Sequence, residues 1–222
     1  MRLRHLDWFR VAVHGLALAP LTVLIWNIIH NQLSVNPIQD ITFRTGKFTL
    51  VMLVASLACT PLNTLFGFKP ALKVRRALGL YTFMYGSLHF LTFTVLDYGL
   101  DSNQIWNTIA EKRYVLIGFA AFLILLPLAV TSTKWWMKRL GKNWKRLHKL
   151  VYLAGVLAVV HYVWLVKSDI REPLLFGAIV AGLLIARIPI VRRAATKLRY
   201  PLRRFVRPSA NYHEPAQMIR VD

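Results

Sequence analysis

The sequence predicts an all-α membrane protein, a polytopic bundle of six transmembrane helices with both chain ends in the cytoplasm. Three observations predict it. The 222 residues are 56% hydrophobic with a mean hydropathy of +0.44, yet they carry a formal charge of +20. The apolar residues gather into long runs free of Lys, Arg, Asp and Glu, too long for a soluble nucleic-acid-binding protein of the same charge. The basic residues between those runs fall mostly on one side.

The charge-free runs cover 11–29, 48–68, 77–96, 114–133 and 150–166, with a shorter sixth at 173–186 that Arg187 extends to 191 if it snorkels. A spanning helix needs roughly 20 apolar residues, and about 17 at the least. The predicted spans are therefore 10–29, 48–67, 77–97, 114–133, 149–166 and 173–191, in one domain over 1–192, followed by a basic cytoplasmic tail at 193–222. Ala17-Leu18-Ala19 looks like a signal-peptide cleavage site, but Pro20 follows it and the apolar run continues to Ile29, so the first span reads as retained. The lone Cys59 excludes an intrachain disulfide framework. No periodic repeat is visible.

Orientation follows from the basic residues. With the N-terminus inside, 23 of the 29 Lys and Arg residues lie on the inner segments. Only Arg44, Lys47, Lys112, Arg113, Lys167 and Arg171 lie outside. That asymmetry sets the topology, and two cytoplasmic termini require an even number of spans. The net charge then needs no nucleic acid. The tail, with Arg192, Arg193, Lys197, Arg199, Arg203, Arg204 and Arg207, reads as a segment lying on anionic lipid headgroups or as a solvated basic tail.

Three histidines stand out inside this frame. At about 1.5 Å per residue, His89 on the third span lies about 10 Å from the outer end and His161 on the fifth about 8 Å from it. An imidazole deep in an apolar helix is either an interhelical hydrogen-bond partner or a cofactor ligand, and matched depth on two helices favours ligation of a haem iron. His148 sits at the inner mouth of the fifth span, about 20 Å from His161 along the axis, with room for a second cofactor in the inner leaflet. On a straight helix the two would face different sides, and a bulge or a distorted first turn would be needed to bring both to one seam. Arg75 shares a face with His89 and lies with Arg76 at the depth of His148. An arginine is a poor iron ligand but pairs well with a propionate or a flavin phosphate. His14 and His30 read as structural or interfacial, and the tryptophans at span ends as an aromatic belt. The chain carries no Walker loop, dinucleotide fingerprint, Cys cluster or nucleophile elbow, so no substrate-converting site is expected.

These residues resemble a known family. Arg75-Arg76-Ala77-Leu78-Gly79-Leu80-Tyr81 leading to Leu88-His89, then Thr131-Ser132-Thr133, then Leu140-Gly141-Lys142-Asn143-Trp144-Lys145-Arg146-Leu147-His148, and finally His161-Tyr162-Val163-Trp164 closely resemble the MsrQ (YedZ) family. Asp40-Ile41 with Thr45-Gly46 also fit. That family supplies the haem-binding membrane subunits of bacterial MsrPQ methionine sulfoxide reductase systems, within the ferric-reductase-like transmembrane superfamily.

The resemblance implies a bacterial inner-membrane protein that carries electrons through haem b, with FMN as a further cofactor of the family. Electrons would come from a cytoplasmic flavin reductase or the quinone pool. They would leave to a periplasmic, molybdopterin-containing MsrP-type catalytic subunit that repairs oxidised envelope proteins. On this carry-over His89 and His161 are axial ligands of an outer haem, and His148 belongs to an inner one. Two other readings stand beside it. A ferric reductase acting on external metal would usually carry a fused flavin domain, for which 187–222 is too short. A proton-coupled transporter with a His89–His161 relay would typically carry intramembrane carboxylates, which the charge-free runs lack.

Overall fold

Asn36 and Pro37 start the second helix well before its apolar run begins. The Asn36 side chain accepts from the backbone N–H of Gln39 at 3.2 Å, Pro37 occupies the first turn, and Arg44 forks onto Asp40 one turn on. These local signals carry the helix out through a stretch that hydropathy alone assigns to a loop.

The computed structural model describes residues 7–166 and 169–193, and every element in them is helical. The helices are α1 (Trp8–Ile29), α2 (Pro37–Phe66), α3 (Pro70–Leu91), α4 (Ser102–Glu111), α5 (Arg113–Val130), α6 (Lys134–Leu140), α7 (Lys142–Leu147), α8 (Leu150–Leu165) and α9 (Arg171–Ile185). A π-helical segment, Thr92–Asp97, extends α3. From residue 194 the basic tail lies outside the described residues. By length and apolar composition, four described segments are able to cross a membrane: Trp8–Ile29, Pro37–Phe66, Arg113–Val130 and Lys142–Leu165, the last running through α7 and α8. The expected third and sixth spans correspond to α3, whose inner turns carry Lys73, Arg75 and Arg76, and to α9, which is 15 residues long.

Two antiparallel helix hairpins form the centre, α2 with α3 and α5 with α8. Leu53, Leu57, Tyr85, Thr82 and Ala154 are almost fully buried between the helices. The Tyr85 hydroxyl donates to Ala17 O at 2.7 Å and ties α1 to α3. α9 joins the first hairpin through Lys47 Nζ and Glu172 Oε1, 2.6 Å apart. Outward, Leu16, Val23, Ile29, Leu123 and Leu175 are exposed, as are many other large apolar side chains. A surface this apolar is stable against lipid tails rather than water, which agrees with a membrane protein.

The loops expected at 30–47, 97–113 and 134–149 all hold helix. Asp101 caps α4 by accepting from Asn103 and Gln104, and Thr133 caps α6. Short polar caps of this kind start helices where apolar periodicity is silent.

Candidate functional site

Each long hairpin seats one half-buried histidine against its partner helix, and the two seats are alike. His89 on α3 donates from Nδ1 to the Thr42 carbonyl on α2 at 2.9 Å. His161 on α8 donates from Nδ1 to the Tyr114 carbonyl on α5 at 2.6 Å. A carbonyl only accepts, so Nδ1 carries the proton in both rings and Nε2 keeps its lone pair. One turn beyond each carbonyl stands a glycine. A Cβ built on Gly46 would come within 3.0 Å of His89 Cε1, and one on Gly118 within 2.6 Å of His161 Nδ1.

The two rings meet across the interface, as their predicted depth requires. Their centroids are 6.2 Å apart and their planes cross at 78°. Both line a cavity of about 830 Å³, together with Gly46, Gly86, Phe90 and Gly118. Arg44, Lys47 and Lys112 also line it. Arg44 is paired there with Asp40, and Lys47 with Glu172.

The other end of the hairpins is built differently. His148 lies in a turn between α7 and α8, where Lys149 N bonds to Arg146 O at 3.2 Å in place of the usual helical partner. Its ring stacks on Trp144, with centroids 4.1 Å apart. Its Nε2 lies 3.1 Å from Thr131 Oγ1, whose own proton goes to Pro127 O at 2.6 Å. Thr131 therefore accepts, and the Nε2–H of His148 is already engaged. Trp144 Nε1 donates to Thr131 O at 2.9 Å and closes the cluster.

Of the two inner arginines, Arg75 turns to α2 and donates to Thr60 Oγ1 at 3.0 Å, whereas Arg76 is exposed. The residue that the sequence reading misplaced is Arg187. Instead of snorkelling outward from a longer last helix, it turns inward after α9 ends at Ile185. It donates to Leu57 O at 2.5 Å and to the Tyr152 hydroxyl at 2.7 Å. The cause is Pro61. Lacking an N–H, it leaves the carbonyl four residues back, that of Leu57, without its helical donor. Pro61 four residues after Leu57 was the available signal, but nothing local says which distant cation would answer it. His14 and His30 take structural roles, His14 beside the Tyr81 hydroxyl at 2.8 Å and His30 stacked on Trp26 while donating to its carbonyl.

Residues 43–159, a stretch running from α2 into α8, match the family described as Ferric reductase like transmembrane component. A protein of Xanthomonas axonopodis pv. citri (strain 306), named protein-methionine-sulfoxide reductase heme-binding subunit MsrQ, is 45% identical over 181 residues, covering 79% of this chain and 83% of its own. A protein of the same name from Rhodospirillum rubrum is 44% identical over 186 residues, covering 83% of this chain and 89% of its own. The chain belongs to the MsrQ family of ferric-reductase-like transmembrane proteins. No solved structure matches it.

The seats fit the group those relatives are named for. Two imidazoles sharing one iron through Nε2, with bonds of about 2 Å, put their ring centres roughly 6 Å apart. Among the described residues no three of His, Cys, Asp or Glu gather into a protein-only metal site. An ion held here would have these two protein ligands, and a porphyrin would supply the others.

Proposed function

We propose that this chain is the membrane-embedded, haem b-binding subunit of a methionine sulfoxide reductase system, with His89 and His161 as the axial ligands in the outer half. The observation that carries the reading is the pair of imidazoles 6.2 Å apart, each fixed at Nδ1 by a backbone carbonyl, each leaving Nε2 its lone pair, and both lining the same cavity. A bis-imidazole haem supplies one-electron transfer without an open iron position for substrate. The protein's part is to hold the two rings, exclude water with Phe90 and its neighbours, and offer Lys112, which lines the same cavity, to a carboxylate.

The same reading takes the chain as six membrane crossings with cytoplasmic termini in a bacterial inner membrane. α3 and α9 complete the set because they pack directly against the four longer apolar segments. Electrons come from the cytoplasmic side, from a flavin reductase or quinone, with FMN at the inner face near Arg75. They leave to a periplasmic molybdopterin partner. A second haem would use His148 through Nδ1, or through Nε2 once that nitrogen releases its proton and Thr131. The deciding experiment is a reduced-minus-oxidised absorbance spectrum of the purified chain with haem counted per polypeptide. A b-type spectrum that His89→Ala and His161→Ala each abolish supports the reading, and a colourless protein expressed with ample haem refutes it.

A further inference from the structure

The two histidine seats repeat one pattern at a fixed offset. Thr42, Gly46 and His89 of the first hairpin correspond to Tyr114, Gly118 and His161 of the second, each member 72 residues further on. The carbonyl and its histidine are separated by 47 residues in both. Sequence comparison of the halves misses this, because one member is Thr against Tyr and contributes only its backbone. Both hairpins run in the same order, so the repeat is of the parallel kind, with both seats at one depth.

Within each seat the carbonyl and the glycine lie one helical turn apart, on one face. The carbonyl pins Nδ1. The bare Cα of the glycine is what the ring lies against. With a Cβ present the His89 ring would have to tilt away by a few tenths of an ångström, and the His161 ring, whose Nδ1 is itself the atom struck, would have to move and reorient as a whole. Among the described helical glycines, Gly46 and Gly118 are the two whose added Cβ would strike an imidazole. Gly86 would meet Thr49 Cγ2 at an ordinary 3.5 Å, and Gly182 would meet nothing within 4 Å.

We propose that Gly46 and Gly118 are positioning residues that hold the two imidazole planes crossed, and thereby set the electronic state of the metal the rings share. The inference rests on the haem reading above. Crossed axial imidazoles leave two iron d orbitals close in energy, whereas parallel ones split them. The ferric low-spin resonance therefore reports the angle between the planes, independently of turnover.

The test is low-temperature electron paramagnetic resonance of the oxidised, haem-loaded full-length protein. The wild type should show a single strongly anisotropic feature at large g. Gly118→Ala, with the shorter contact, should lose that feature in favour of a three-line rhombic spectrum. Gly46→Ala should move the same way by less, and Gly182→Ala should match the wild type. Should Gly118→Ala lose its haem altogether while Gly182→Ala keeps it, the seat has no room to pivot and Gly46→Ala reads the angle. A wild-type rhombic spectrum overturns the proposal, as do Gly46 and Gly118 variants with wild-type spectra. Protein without haem refutes the underlying reading instead, which the absorbance spectrum of the same sample distinguishes.

Discussion

The outer and inner ends of the two hairpins are built on the same four helices and solve opposite problems. At the end that carries His89 and His161 the hairpins are equivalent: each presents one imidazole, proton-anchored at Nδ1 on a carbonyl, that lines a shared cavity. At the inner end the equivalence is lost. His148 has Arg76 as its counterpart 72 residues earlier, and Arg76 is exposed. Its neighbour Arg75 reaches Thr60, and Arg187 comes from α9, outside both hairpins, to occupy Leu57 O and Tyr152. At one end the nitrogen that keeps its lone pair is Nε2 in both rings; at the other, Nε2 of His148 is engaged by Thr131 and Nδ1 keeps the lone pair. The difference teaches that depth alone does not settle which nitrogen a ring presents. Its local hydrogen bonds do.

The widest separation between the ends should come from the histidines themselves. His89→Ala or His161→Ala removes half of the outer pair and is expected to abolish the outer haem spectrum. His148→Ala should retain that spectrum. Equal loss in all three, measured as haem per polypeptide, would break the contrast.

Next in size is Arg187→Met. It leaves Leu57 O and the Tyr152 hydroxyl without their donor, a loss of about 1–3 kcal/mol for buried polar groups. Thermal unfolding in detergent should show a clearly lowered midpoint. Pro61→Ala restores an N–H to Leu57 O, so the Arg187→Met cost should shrink in that background. An unchanged cost would mean that the proline is not what draws Arg187 inward.

The smallest effect belongs to Lys47→Ala. Its side chain and that of Glu172 are 50% and 43% exposed, so the pair should contribute about 0–1 kcal/mol. A stability change well above that range would assign the α2–α9 contact a larger role than its exposure allows.

Much of this was legible in the chain. Charge-free runs and the basic asymmetry predicted the helical membrane class, and helical rise put His89 and His161 at one depth. Angular arithmetic required a distorted turn only if His148 and His161 were to share one seam; a turn does separate α7 from α8 at His148. Boundaries were the weaker part: α2 begins at Pro37 rather than near 48, because capping by Asn36 is a hydrogen-bond signal that hydropathy does not register. α9 ends at Ile185 because Arg187 serves the first hairpin instead of the membrane surface.

By itself, then, the sequence determined which segments are long and apolar, and how far along its own axis each histidine lies. Both follow from short-range periods that every residue carries with it. Only the tertiary structure decided which carbonyl meets which imidazole, that Gly46 and Gly118 are the surfaces under the rings, and that Arg187 answers Pro61 from 130 residues away. Rotation of one helix against another is set by the summed packing of both surfaces. No single stretch of chain contains that sum.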